Sequence, residues 1–349
     1  MAKDAKTVFV GLSGGVDSSV AAGLLKDAGY KVEGVFIKVW RPPFLKCSWS
    51  DDRLDAMRVC AHLEIPFRDL DLSGEYKSEV VDYMVSEYKR GRTPNPDVMC
   101  NKHIKFGKFL DYAKREGAEY VATGHYARVE KRGGEFILKK GKDENKDQSY
   151  FLWTLGKDEL ENVWFPIGDY KKSETRKLAE KFGLPTASKK ESQGLCFLGE
   201  IDLKEFLGEF MELKSGDVLD EDGNKIGAHD GAIIYTVGQR HGFRVKSEKG
   251  SPHYVISRDM SKNTITVSTK PPTLDIKDSY KLEDINWISG NPKEDYTYFA
   301  RIRHQGSLIP CNIIDSNKVK FLSKVDSLAA GQSLVLYVNE LCIGGGVIE

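Results

Sequence analysis

The chain has 349 residues, 40% hydrophobic and 30% charged, a composition that suits a soluble globular protein of two or three domains. Its 52 Lys and Arg balance 52 Asp and Glu, which excludes a nucleic-acid coat that binds by overall positive charge. No apolar run approaches the roughly 20 residues a membrane span needs, and the opening MAKDAKTVFVGLSGG has no apolar or Arg/Ser-rich leader, so a cytoplasmic protein without a membrane partner is expected.

Taken in chain order, Thr7–Leu12 reads as a buried strand, 18–26 as a helix and 31–38 as a second strand. A helix over 52–63, a strand over 67–72 and a long helix over 75–90 follow. Residues 91–102 read as a Pro-rich loop, 104–116 as a helix and 120–123 as a strand. Strands alternating with helices at short spacing predict an α/β domain with a parallel sheet. Near residue 200 the pattern changes to strands and turns. Asp222-Gly223-Asn224 is a hairpin signal, and the short strands after about Tyr280 predict a small barrel or sandwich. Charge is segregated: residues 171–190 carry seven Lys/Arg against two Glu, whereas 206–230 carry seven Asp/Glu against two Lys. The basic stretch is a candidate RNA-tracking strip, independent of any nucleotide site.

Ser13-Gly14-Gly15-Val16-Asp17-Ser18-Ser19 falls between the first strand and the first helix. Two glycines there let backbone N–H groups approach an anion, and the helix start adds unpaired N–H groups and partial positive charge. Asp17 would repel bare phosphate, so it predicts either a bound Mg²⁺ or a loop-shaping role. The sequence fits neither a Walker A loop nor a dinucleotide fingerprint.

Six cysteines occur without any C-x-x-C pair, so neither a zinc finger nor a secreted disulfide scaffold is expected. Cys47, Cys60, Cys311 and Cys342 read as structural. Cys100 lies in the Pro-stiffened segment 91–102, just before the expected helix, where its thiolate would be stabilised, with Lys102 and His103 acting the same way. Cys196 lies in Ser192-Gln193-Gly194-Leu195-Cys196-Phe197-Leu198, after the basic stretch.

The SGGVDSS loop resembles that of the N-type ATP-pyrophosphatase family, which splits ATP between its α and β phosphates and transfers AMP to an oxygen. Both cysteine segments, together with Ala122–Tyr126, Lys146–Leu152, Tyr235–Arg240 and Gly344–Gly346, resemble the tRNA-specific 2-thiouridylases along nearly the whole chain. That resemblance implies an adenine-nucleotide-hydrolase-like catalytic domain over 1–205, a small mostly-β central domain over 206–272 that positions tRNA, and a C-terminal β-barrel over 273–349. It implies an ATP site at Gly11, Leu12, Ser13, Gly14, Gly15, Val16, Asp17 and Ser18, with Ile37 and Gly124. Ile37 stands where Met is common.

The same resemblance implies a persulfide on Cys196, delivered by a sulfur-relay protein or a cysteine desulfurase. Cys100 would be the partner cysteine that releases sulfur by forming a disulfide with it, and Asp97 a general acid/base. Asn95, Pro96 and Asp97 would border the target base, the wobble uridine of tRNA. Lys146, Asp147 and Gln148, with Arg303 and His304, would contact the tRNA. His125 is expected to be structural or to line the ATP pocket. Two alternatives stay open at this point. One is another adenylating ligase carrying the same loop. The other is an iron–sulfur thiolation enzyme in which Asp97, Cys100 and Cys196 hold a cluster.

Overall fold

The computed structural model describes residues 6–42, 44, 49–190, 194, 196–199, 202–246, 252–273, 279–294, 296–325 and 327–349. Cys47, Ser192, Gln193 and Leu195 lie outside the described residues. Among the described residues no helix is long and apolar enough to cross a membrane.

Strands β1 (Thr7–Gly11), β2 (Lys31–Lys38) and β3 (Phe67–Asp71) alternate with helices α1 (Val16–Asp27) and α2 (Trp49–His62). Helix α3 runs over 73–89 and helix α4 over 96–115; each is α-wound at both ends and π-wound in the middle, at Lys77–Asp82 and Cys100–Lys108. Strand β4 (Tyr120–Ala122) returns to the other side of β1. A hairpin, β5 (Ala127–Arg132) and β6 (Glu135–Lys140), and helix α5 (Lys157–Asn162) precede β7 (Val163–Trp164). The parallel sheet has the order β3-β2-β1-β4-β7. Its strand order reverses between β1 and β4, the place where open α/β sheets bind ligands. Val8, Phe9 and Val10 of β1 are fully buried because helices cover both faces.

The helix containing Cys100 starts at Pro96, eight residues earlier than the sequence pattern suggests. Asn95 caps it by accepting from the Val98 N–H at 3.4 Å, and Pro96 at the first position needs no hydrogen-bond partner for its nitrogen. Pro96 therefore starts a helix, while Pro94 stays in the loop ahead of it.

After helices α6 (Lys172–Lys181) and α7 (Leu203–Gly208) the chain turns to β structure. Strands β8 (Gly216–Leu219), β9 (Lys225–His229), β10 (Arg244–Val245), β11 (Tyr254–Asp259) and β12 (Thr264–Ser268) form a sheet of order β10-β9-β8-β12-β11. Strands β13 (Ser279–Trp287), β14 (Thr297–Arg301), β15 (Ile309–Asp315), β16 (Lys318–Phe321), β17 (Ser333–Val338) and β18 (Leu341–Ile348) close into a barrel. Closure comes from β13, which pairs with both β16 and β18. The Gly344-Gly345-Gly346 run serves this closure. A Cβ on Gly344 would collide with the backbone of Asn286, and one on Gly345 with that of Leu334.

The hairpin β5–β6 leaves the parallel sheet and extends the barrel sheet, with Leu341 opposite Lys139 and Cys342 opposite Leu138. The loop ahead of α4 is gripped from both β units. Thr93 N–H donates to the Ala330 carbonyl at 2.7 Å, and Arg258 Nη2 donates to the Gly91 carbonyl at 2.8 Å. The Thr93 and Thr236 hydroxyls lie 3.0 Å apart. Arg92 pairs with the buried Glu87 at 2.7 Å and with Glu283 of β13.

Candidate active site

The phosphate loop follows β1, at the switch point. Gly14 takes a φ of +71°, and a Cβ there would strike the Asp52 backbone, so glycine is required. The Leu12 N–H donates to the Val35 carbonyl at 2.8 Å, and the Ser19 hydroxyl to the Gly15 carbonyl at 2.7 Å. Ser18 Oγ accepts from the Ser13 N–H at 3.2 Å, which rounds the loop over the start of α1. Gly124, after β4, closes the other side: a Cβ there would sit 2.6 Å from the Asp17 carbonyl carbon and the Ser18 nitrogen. Gly11 ends β1, Val16 opens α1, and Ile37 is buried in β2. Gly11–Ser18 and Gly124 thus lie together at the ends of β1 and β4, where the start of α1 can offer backbone N–H groups to a phosphate.

The Asp17 carboxylate is engaged elsewhere. Both of its oxygens accept from Lys172 Nζ at 2.8 Å, and one also accepts from the Tyr126 hydroxyl at 2.9 Å. Of its two expected roles the loop-shaping one fits this arrangement; a magnesium ligand does not, because an ammonium occupies both oxygens. The basic stretch is likewise not independent of the nucleotide site. Lys172 holds the loop, and Lys189 pairs with Asp52 at 2.9 Å and Asp55 at 2.7 Å on α2. Arg176 donates to the Ala187 and Lys189 carbonyls at 3.3 Å. Lys171, Lys177, Lys181 and Lys190 are exposed.

The two cysteines meet. The Cys100 thiol donates to the Cys196 sulfur at 3.3 Å, across 96 residues of sequence. Cys100 is completely buried, whereas Cys196 is partly exposed. Asp97 accepts from the Cys196 N–H at 2.8 Å, the Tyr76 hydroxyl donates to the Cys196 carbonyl at 2.9 Å, and Arg41 donates to the Phe197 carbonyl at 2.6 Å. These bonds hold a turn in which Phe197 has a φ of +65° between Gly194 at +92° and Gly199 at +75°. A bulky residue in that region is strained, and such strain collects at functional sites.

Electrostatics divide the two thiols. The hydrogen bond from Cys100 and the charge of Lys105 lower the Cys196 thiol to about 7 against the cost of burial. Burial, then the neighbouring Cys196, push Cys100 well above the ordinary thiol range. The expectation that Cys100 is the stabilised thiolate is corrected here: it lies inside a helix that begins at Pro96, with Lys102 exposed and His103 near Glu79 at 3.8 Å. The cation at the sulfurs is Lys105, which the sequence pattern does not single out because regular helical spacing gives that face to Ile104; the π-wound turn brings in the residue five positions on. Burial raises the Asp97 carboxyl, opposed by the Cys196 amide and Lys105. With that carboxylate turned to the amide, Asp97, Cys100 and Cys196 do not fit a cluster-ligating set. Among the described residues no group of three His, Cys, Asp or Glu is placed to hold a metal.

The other expected RNA residues come together at the foot of the barrel. His304 Nε2 lies 3.0 Å from the Asp147 carbonyl, and its ring packs on Phe151 at 4.5 Å. Phe151 in turn accepts from Asn101, the neighbour of Cys100, at 3.2 Å. Lys146 is half-buried and Arg303 exposed. The Gln148 side chain is turned to the Tyr126 N–H at 2.9 Å. The Asp147 side chain departs from its expected role. It is 1% exposed and accepts from Gly141 N, Ser149 N and Arg301, the last at 2.8 Å, so it braces the segment from within.

Comparison with known proteins decides the family. Models described as the tRNA methyl transferase HUP domain, the tRNA methyl transferase PRC-barrel domain and the aminomethyltransferase β-barrel domain match residues 6–200, 204–269 and 277–348. A tRNA-specific 2-thiouridylase of Nitrosomonas eutropha is 44% identical, covering 98% of both chains. One of Idiomarina loihiensis is 41% identical over 100% of this chain and 97% of its own. One of Geobacillus thermodenitrificans is 43% identical over 98% and 94%. The chain belongs to the tRNA-specific 2-thiouridylase family. The likeness runs along nearly the whole of this chain and so spans both cysteine segments and the phosphate loop.

Proposed function

We propose that this chain is an ATP-dependent tRNA sulfurtransferase that replaces the 2-oxygen of the wobble uridine with sulfur carried on Cys196. The observation that carries this reading is the 3.3 Å contact between a partly exposed, acidified thiol and a fully buried one, in a domain that also holds a phosphate loop. The word methyl transferase in the family models does not describe this constellation, since methyl transfer needs neither a second thiol nor a phosphate cradle.

The 2-oxygen of uridine is a poor leaving group. Transfer of AMP from ATP to that oxygen, with release of pyrophosphate, turns it into a good one; the N–H cradle of Ser13–Ser18 binds the phosphates. Cys196 takes a sulfur atom from a relay protein or desulfurase and holds it as a persulfide. The terminal sulfur attacks C2, AMP leaves, and C2 is joined through two sulfurs to Cys196. The Cys100 thiol, once deprotonated, attacks the Cys196 sulfur, the electron pair of the broken S–S bond stays on the 2-thiouridine sulfur, and a Cys100–Cys196 disulfide remains. An external thiol must reduce that disulfide, which places turnover in a reducing compartment such as the cytoplasm. Asp97 holds the Cys196 turn and, with its carboxyl raised by burial, serves as acid or base beside the splayed-out base. Asn95 and Pro96 border that base, and the Lys146–Gln148 and Arg303–His304 segments face the tRNA through their backbone and the side chains of Lys146, Arg303 and His304.

Nucleoside mass spectrometry of tRNA incubated with the protein, ATP and a persulfide donor tests this. Wild type is expected to form 2-thiouridine, and Cys196→Ser to form none while still binding ATP. Equal product from Cys196→Ser would end the sulfur-carrier reading.

A further inference from the structure

We infer that Lys105 is a positioning residue for sulfur, the cation that keeps Cys196 anionic beside Cys100. This rests on the reading of Cys196 as sulfur carrier and names a residue that reading does not require.

The geometry begins with the winding of α4. Cys100 opens the π-wound segment and Lys105 lies five residues on, within one wide turn, so both side chains approach the same sulfur. Lys105 Nζ stands 5.4 Å from the ring centroid of Phe197, the residue after Cys196, whose positive φ turns that ring toward it. On its other side Nζ lies 3.4 Å from His125 Nε2, and His125 Nδ1 lies 2.7 Å from the Thr123 hydroxyl. An ammonium can only donate, so it makes Nε2 the acceptor and leaves the ring proton on Nδ1, directed at Thr123. His125 is therefore a neutral bracket; burial, then Lys105, hold its pKa well below the usual histidine range.

Lys105 is half-buried, and an ammonium partly withdrawn from water gains from a counter-charge. Among the described residues Lys105 forms no ion pair with a carboxylate, and the acidic groups acting on it are the two thiols and Asp97. Burial disfavours its charge, yet those groups outweigh the burial, and its pKa is raised. The remaining charged or titratable groups around the sulfurs are committed elsewhere. Asp97 accepts from the Cys196 amide, Tyr76 and Arg41 hold the Cys196 and Phe197 carbonyls, and His304 lies against Phe151 and Asp147. The counter-charge left for Lys105 is a sulfur anion, first the Cys196 thiolate and then its persulfide. The bracket also joins the two halves of the site. Thr123 and His125 flank Gly124, which packs on the phosphate loop, so the cation is anchored to the strand end that lines the ATP cradle.

The test is the pH profile of Cys196 alkylation by iodoacetamide in the full-length protein. Peptide mass spectrometry follows Cys196 in wild type, Lys105→Met and Lys105→Arg, and ATP affinity reports the fold of each variant. Lys105→Met is expected to lower the alkylation rate at pH 7 by about tenfold and move the midpoint upward, because the thiolate fraction falls. Lys105→Arg is expected to keep the midpoint nearer that of wild type. A Lys105→Met profile that superimposes on wild type overturns the proposal. So does an equal upward shift in Lys105→Arg and Lys105→Met with ATP binding intact, since charge would then not be the cause. Alkylation reads acidity whether or not Cys196 carries sulfur, so the sulfur-carrier reading can fail in the Cys196→Ser assay without deciding this one.

Discussion

At the residue scale, reactivity in this molecule follows from where each thiol sits relative to charge. Burial pushes Cys60, Cys311 and Cys342 up to about 12, so they stay neutral and inert at physiological pH. Cys196, lowered to about 7, is poised to ionise. The sign is direct: the thiolate is present above that value and is lost as pH falls through it. Where loading of sulfur limits turnover, the thiolation rate is expected to rise through about pH 7 and level off above it. A rate unchanged from acid to alkaline side of that midpoint would contradict the assignment. The sequence makes the two important cysteines legible through their Gly- and Pro-rich settings, but not which of them is the acidic one. Lys102 is exposed and His103 faces Glu79, so neither serves the sulfurs, whereas Lys105, Tyr76 and Arg41 reach the site through winding and tertiary packing that no local pattern reports.

At the element scale, the decisive features are the ends of β1 and β4. The SGGVDSS loop was legible because it obeys a local rule, two glycines after an apolar strand and before a helix. The closing wall was legible only by family likeness, since Gly124 matters for a neighbour far off in sequence. Gly124→Ala is expected to weaken ATP at least about tenfold, near 1.4 kcal/mol, because its Cβ would sit 2.6 Å from the loop backbone. Calorimetric titration with ATP checks this, and an unchanged affinity would mean the nucleotide does not use this cradle. The start of α4 shows the limit of periodicity. Asn95 and Pro96 are cap and first-turn residues, yet the same pair reads as loop punctuation until the helix is seen to continue through Cys100.

At the scale of the whole molecule, the three units meet at the loop that leads into α4. The central sheet grips Gly91 through Arg258, and the barrel grips Thr93 through Ala330 and Arg92 through Glu283. The loop that presents Asn95 and Pro96 is thus set by the units proposed to hold tRNA, so binding and chemistry share one fixed frame. Alternating strands and helices revealed the α/β unit, and the run of short strands revealed the β part. The transfer of β5–β6 to the barrel edge was not legible, because a strand's partner is set by tertiary pairing and not by its own residues. On the mechanism proposed above, Cys100 and Cys196 deliver one sulfur by becoming joined to each other. A single turnover without reductant, starting from protein persulfidated on Cys196 and using ATP and tRNA, tests it most directly. Peptide mapping should find one Cys100–Cys196 disulfide for each 2-thiouridine and each AMP formed. Full 2-thiouridine formation with both cysteines recovered as free thiols would contradict it.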